Sequence, residues 1–209
     1  MPVGCPATGE SLGSVSVADA QDVDRAVRAA NDGFERWRDT PAQERAACIR
    51  RAIAAMRKHA EELAWIDAMD TGNPFNAMLF DVEISAGYMD YFAGLVTEMK
   101  GATIPIGPNV LNYTVREPLG VIARIGAFNH PLLFVAGKCG APLAAGNALI
   151  IKPADQTPLS ALRLAELADG IFPPGVFNVV NCGRDAGAAL VEHRGVAKIG
   201  FIEIGRAHV

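Results

Sequence analysis

Residues 119–152 run Leu119-Gly-Val-Ile-Ala-Arg-Ile125, Gly126-Ala-Phe-Asn-His130, Pro131 through Ala145, Gly146-Asn147 and Ala148-Leu-Ile-Ile-Lys152. The two apolar runs are short and continuous, the pattern of strands buried on both faces. Pro131 suits the first position of a helix, and Gly146-Asn147 turns the chain back. The stretch therefore reads strand, polar loop, helix, turn, strand. Downstream the alternation continues. A loop over Pro153–Thr157 is followed by Thr157-Pro158 as cap and first position of a helix to Asp169. Phe172-Pro-Pro-Gly175 is a turn, Val176–Val180 a strand, Asp185–Glu192 a helix and Ala197–Phe201 a strand. Strands alternating with helices specify βαβ units, so the expected fold class is α/β with a parallel sheet and flanking helices.

Upstream the texture changes. Residues 1–100 carry 10 Lys/Arg and 16 Asp/Glu, whereas residues 101–209 carry 9 and 7. The first half reads as amphipathic helices. Ser16-Val-Ala-Asp19 precedes a helix with Val23, Val27, Ala30 and Phe34 inward and Asp22 and Asp24 in its opening turn, where acid suits the helix dipole. Pro41 opens a second helix, with Ile49, Ile53, Met56 and Leu63 inward, ended by Thr71-Gly72-Asn73-Pro74. A third spans Phe75 to Met99. After a Gly/Pro break at Gly101, Pro105, Gly107 and Pro108, Leu111–Arg116 alternates like an exposed strand. The expected divisions are residues 1–100 as a helical part, 101–118 as an extended, strand-like stretch and 119–202 as the sheet core.

Composition narrows the function classes. The 209 residues are 50% hydrophobic and 20% charged, with a formal net charge of −4. That allows a packed core and argues against a disordered chain. A mild acid excess with no basic cluster argues against nucleic acid as a partner. The most apolar stretch, Pro131–Ile151, is interrupted by Lys138, Asn147, Pro142 and three glycines, and does not read as a membrane span. The N-terminus has no basic start and no apolar segment of a secretory signal. Cys5, Cys48, Cys139 and Cys182 form no C-x-x-C pair and no zinc spacing, so no metal site is expected, and reduced thiols in a cytoplasmic protein are the plain reading.

Ligands of open α/β sheets bind beyond the carboxyl ends of the strands. Three loops fall there: Gly126–His130, Pro153–Thr157 and Asn181–Gly187. A strand ending in Lys152 leaves an ammonium that is costly to bury alone. A ligand hydroxyl or phosphate would satisfy it, or the stem could carry it to solvent. Gly183-Arg-Asp-Ala-Gly187 places glycines at a helix start, where backbone can approach a pyrophosphate. It is not G-x-G-x-x-G, and by itself it reads more readily as a plain βα turn. Asn129 can donate to a developing oxyanion, or simply form the turn before His130-Pro131.

At these loops the sequence resembles the aldehyde dehydrogenase superfamily. The resemblance rests on Pro6-Ala-Thr-Gly-Glu10, Glu117-Pro-Leu-Gly-Val-Ile122, Phe128-Asn-His-Pro131, Ala141-Pro-Leu-Ala-Ala-Gly-Asn147, Lys152-Pro-Ala-Asp-Gln-Thr-Pro-Leu-Ser160 and Pro173-Pro-Gly-Val-Phe-Asn-Val-Val180. It covers almost all of residues 1–202 and looks most like the betaine-aldehyde branch. It implies a Rossmann-like sheet of the aldehyde dehydrogenase type, and NAD- or NADP-dependent oxidation of an aldehyde to a carboxylic acid. By position, Asn129 matches the oxyanion-hole asparagine. Ile125, Gly126, Ala127 and Phe128 match the backbone beside the dinucleotide, and Lys152 matches the lysine on the adenosine ribose. Asp155 stands where glutamate often binds the ribose hydroxyls, which favours NAD because an acid repels a 2′-phosphate. Gly183 and Gly187 match glycines of the nucleotide turn. His130 stands where an aromatic is commoner. The resemblance further implies that residues 1–100 are the N-terminal helical part of the nucleotide-binding domain, 101–118 strands of an oligomerisation arm and 119–202 a Rossmann-like NAD-binding core, in a homodimer or homotetramer.

The family chemistry needs a cysteine thiolate to attack the aldehyde and a glutamate to activate water. Both belong to motifs downstream of this chain, and Cys139 and Cys182 read as packing residues. The expectation is thus a dehydrogenase piece truncated before its catalytic domain. A non-catalytic dinucleotide-binding module and a coenzyme-A-acylating dehydrogenase stay open as alternatives. Residues 203–209 back-translate to a string resembling a sequencing adapter and are expected to be a non-native tail; the competing account is divergence, with Gly205-Arg206 matching a family Gly-Arg.

Overall fold

The computed structural model describes residues 1–202, so the non-native tail expected at 203–209 lies outside the described residues. The chain starts with a feature the sequence did not announce, an antiparallel hairpin of β1 (Pro2–Gly4) and β2 (Ser11–Ser14). Strands of three and four residues carry too little periodicity to read. The segment after the hairpin runs beside the loop that follows the Phe177–Val179 strand, where the Ala18 N–H donates to Asn181 O and the Asn181 amide to Ser16 O.

Helix α1 (Ala20–Arg38) starts as expected. Asp19 is its N-cap, and Asp19 and Asp22 form a reciprocal capping box, worth about 1 kcal/mol. Its inward face buries Val23, Val27, Ala30 and Phe34. The second expected helix is two helices. α2 (Ala42–Lys58) and α3 (Ala60–Thr71) meet at His59, whose φ of −111° and ψ of 23° leave the helical region. The inward set Ile49, Ile53, Met56 and Leu63 is buried across the break, so the apolar stripe alone does not reveal it. Gly72, at φ 78°, ends α3 in the left-handed conformation. α4 (Phe75–Gly94) stops short of the expected Met99.

Residues 101–118 are not the strands expected. They fold over themselves through one antiparallel bridge, Thr103 to Tyr113. Ile104 N donates to Asn112 O and Thr114 N to Ala102 O, without a continuing ladder. Alternation at Leu111–Arg116 signals an extended chain, but an extended chain becomes a strand only when a partner completes its hydrogen bonds.

The remaining elements build the parallel sheet. They are β3 (Val121–Ile125), α5 (Pro131–Val135), α6 (Gly140–Ala144), β4 (Ala148–Lys152), α7 (Leu159–Ala168), β5 (Phe177–Val179), α8 (Arg184–Glu192) and β6 (Lys198–Phe201). The helix expected from Pro131 to Ala145 is thus two five-residue helices. Strand order is β5-β4-β3-β6, all parallel, so the chain runs outward from β3 and then crosses back to its other side. Alternation along the strands divides the core in two. Ile122, Leu149 and Ile151 pack with α2, α4, α5, α6 and α7 on one face. Val121, Ala123, Ala148 and Ile150 pack with α1 and α8 on the other. Trp37 of α1 is fully buried in the first layer and donates its indole N–H to Leu143 O at 3.0 Å. The turn at Gly146-Asn147 holds β3 to β4: Asn147 Oδ1 accepts from the N–H groups of Leu119 and Gly120.

Candidate functional site

Because all four strands are parallel, the loops after β3, β4 and β5 emerge at one edge of the sheet. Parity then selects the face. Ile125 and Lys152 are register partners, and both follow Val121, Ala123, Ala148 and Ile150 onto the α8 side. There they border a cleft of about 670 Å³, lined also by Gly126, Ala127, Phe128, Asp155 and Gly187. This size lies in the ordinary range for small-molecule sites. Seven of the nine site residues expected from the sequence therefore meet in one hollow. Asn129 and Gly183 do not line it. Asn129 is exposed beyond Phe128 on the same loop, and Gly183 is the N-cap of α8, its carbonyl accepting from Gly187 N–H.

Lys152 is not the lone ammonium its strand position suggested. Only 8% exposed, it donates to Asp155 Oδ1 at 2.6 Å and to Pro153 O at 3.1 Å. Lysine and carboxylate form one buried-to-surface pair at the floor of the cleft, which offers donors and acceptors side by side. The stem reaches this position by passing α8. A Cβ on Gly187 would lie 3.1 Å from Lys152 Cε, so the glycine makes room for the lysine. A Cβ on Gly183 would meet nothing within 4 Å; its side of the turn is open.

Three carboxylates that the sequence reading passed over organise the loops. Asp67 and Asp70 lie on α3 and Asp81 on α4, and all three are buried. Helices α5 and α7 receive no side-chain cap from their own N-cap residues, His130 and Pro158. The missing acceptors come from α3. Asp67 Oδ2 accepts from Leu132 N–H and Asp70 Oδ2 from Leu159 N–H, each at 3.1 Å. Thr157, expected as a cap, instead donates its hydroxyl to Phe128 O at 3.2 Å and so joins the first loop to the second. Asp81 Oδ2 lies 2.6 Å from His130 Nδ1, which gives the non-aromatic residue at 130 a partner. Desolvation raises Asp67 to about 7, partly offset by the Leu132 N–H, and raises Asp70 to about 6. A signal for these residues existed. Asp67 and Asp70 follow Leu63 at helical spacing, on the inward face, where an acid needs a reason.

The cysteines read as packing residues sit as such. Burial pushes Cys139 up to about 12, and its thiol donates to Val135 O. Burial also raises Cys182. A second hollow, of about 790 Å³, lies on the opposite face against the β6 edge, between α4 and α6, and includes Tyr88, Arg124 and Lys138. None of the nine expected site residues borders it. Among the described residues, no cluster of His, Cys, Asp and Glu is placed to hold a metal ion, and no helix is long and apolar enough to cross a membrane.

Comparison with known proteins agrees with this architecture. The aldehyde dehydrogenase family model matches residues 1–205. The chain is 46% identical to aldehyde dehydrogenase tropH of Talaromyces stipitatus over 201 residues, covering 94% of this chain and 39% of that protein. The NAD+ complex of aldehyde dehydrogenase from Bacillus cereus superposes with a TM-score of 0.93 at 40% identity, over 96% of this chain and 42% of that one. An NADP-dependent enzyme of E. coli superposes with a TM-score of 0.93 at 35% identity, with the same coverage. This chain belongs to the aldehyde dehydrogenase family, with a Rossmann-like parallel sheet, and it spans about two fifths of the length of these relatives.

Proposed function

We propose that the chain is the larger part of the nucleotide-binding domain of an NAD-dependent aldehyde dehydrogenase, which oxidises an aldehyde to its carboxylic acid. The observation that carries this reading is the convergence of three strand-end loops on one cleft with the Lys152–Asp155 pair at its floor. The pair suits a ribose: the ammonium donates to one hydroxyl and the carboxylate accepts from another. A ribose 2′-phosphate would approach the same carboxylate, so NAD is preferred to NADP. Residues 125–128 line the cleft beside the dinucleotide, and the open turn at Gly183 and the start of α8 face its diphosphate. Bound NAD supplies the hydride acceptor.

Asn129 serves the aldehyde. Its exposed side-chain amide donates to the oxygen that gains charge when the carbonyl carbon is attacked, a contribution of about 10²–10³ in rate for one such donor. Nucleophile and general base come from the part of the family's length that this chain does not span. Neither Cys139 nor Cys182, both held as thiols by burial, is suited to attack. Residues 1–100 and 119–202 form the nucleotide-binding unit. Residues 101–118, with Leu111 76% and Val115 67% exposed, form an arm that a second copy covers in a dimer or tetramer. Four unpaired thiols suit a reducing compartment such as the cytoplasm.

The test is a titration of NAD and NADP against the full-length enzyme, Lys152→Ala and Asp155→Ser. Lys152→Ala should weaken NAD binding about tenfold, the size of one charge-assisted hydrogen bond. Asp155→Ser should narrow the preference for NAD. Unchanged NAD affinity in Lys152→Ala removes the cleft from the site.

A further inference from the structure

The turn between α3 and α4 touches the reactive loop where no sequence motif pointed. Asn73 Nδ2 donates to the backbone carbonyl of Asn129 at 2.7 Å, across 56 positions of chain. The orientation of this amide is fixed by chemistry, since its other end would set one acceptor against another. Asn73 is itself held. Its N–H donates to Thr71 Oγ1 at 3.0 Å, and the Thr71 hydroxyl donates to Asp67 O at 2.6 Å. Gly72, at φ 78°, supplies the left-handed residue that brings Asn73 round to the loop.

We infer that Asn73 is a positioning residue for Asn129: it fixes the plane of the Asn129–His130 peptide and thereby the direction in which the Asn129 amide points. The neighbouring contacts complete the hold. Thr157 ties the preceding carbonyl, Phe128 O, and Asp81 ties the following side chain, His130. Asp67 then takes the N–H of Leu132, in the first turn of α5. Successive carbonyls on either side of the Asn129 Cα are thus both occupied, and rotation about the Asn129 backbone would break one of them. An oxyanion donor works only when held within a few tenths of an ångström of its place. Asn129 itself is exposed, so packing does not immobilise it and the backbone ties must. Asn73 touches no reacting atom and acts only through Asn129. The inference rests on the oxyanion role proposed above.

A double-mutant cycle in the full-length dehydrogenase tests it, with wild type, Asn73→Ala, Asn129→Ala and the double variant. Asn73→Ala should lower kcat about tenfold, a fraction of what deleting the donor costs. The KM for aldehyde and the Kd for NAD should stay within about twofold, because the adenosine cleft is not touched. In the Asn129→Ala background the same change should move kcat by less than about twofold, since a positioning residue has nothing left to position. Asn73→Asp keeps the shape while placing an acceptor against the carbonyl. It should lose at least as much kcat, and it serves if the alanine variant does not fold. Equal losses in both backgrounds, or an unchanged kcat in both Asn73 variants, overturn the inference while leaving the oxyanion role intact. An unchanged kcat in Asn129→Ala alone overturns the oxyanion role, and the inference with it.

Discussion

Asp67 occupies a place where a charge is costly. It is 1% exposed, one oxygen accepts from Leu132 N–H, and the other has no hydrogen-bond partner. Desolvation raises its carboxyl from 3.8 to about 7. The folded protein therefore holds a proton that the unfolded chain has already released. Stability from this group is fully present below about 3.8 and is lost as pH rises through about 7. Each pH unit in that window is worth about 1.4 kcal/mol, so the loss between pH 5 and pH 8 approaches about 3 kcal/mol. Asp67→Asn keeps an acceptor for Leu132 N–H and replaces the titrating oxygen by an amide facing the Ser160 hydroxyl, which also lacks a partner. The variant should melt within a few degrees of wild type at pH 5. Its advantage should grow by roughly 6–12 °C by pH 8, at about 2–4 °C per kcal/mol for a chain of this size. Asp70, raised in the same direction by desolvation, is present in both proteins and largely cancels in the difference. Thermal melts followed by circular dichroism at each pH unit from 5 to 8 measure it. A difference in melting temperature that stays flat across that range would refute the claim that Asp67 is buried and protonated.

Two further outcomes follow from close approaches at glycines. Gly187→Ala pushes a methyl to 3.1 Å from Lys152 Cε; the lysine stem must move, and we expect weaker NAD binding in a titration together with a loss of about 1 kcal/mol of stability. Gly33→Ala is more severe, because its Cβ would lie 2.4 Å from the Gly175 carbonyl carbon. Backbone blocks it, α1 must lift from the turn before β5, and the variant should lose its cooperative melt or more than about 3 kcal/mol.

The sequence by itself determined the order and type of most elements. Ala148–Lys152 is the strand its sequence specifies, the helix expected after Ser16-Val-Ala-Asp19 starts there, and Pro131 opens a helix. These depend on neighbours within one turn or one strand, and local chemistry settles them. The parallel arrangement also made it legible that the loops after β3, β4 and β5 share one edge, and hence that Lys152, Asp155 and Gly187 could meet. Reading failed where the partner was distant. Residues 111–116 alternate, but among the described residues no strand completes them. The helix from Pro41 breaks at His59 without interrupting its apolar stripe. Thr157 was read as a local cap, whereas Asp70, far upstream, takes that N–H and Thr157 turns to Phe128. Above all, the hold on the Asn129 loop by Asn73, Asp67 and Asp81 is built from side chains on α3, α4 and the turn between them, which arrive there only when α3 and α4 pack against α5. A hydrogen bond needs its two atoms within about 3 Å, and for residues so far apart along the chain that proximity is created by packing alone.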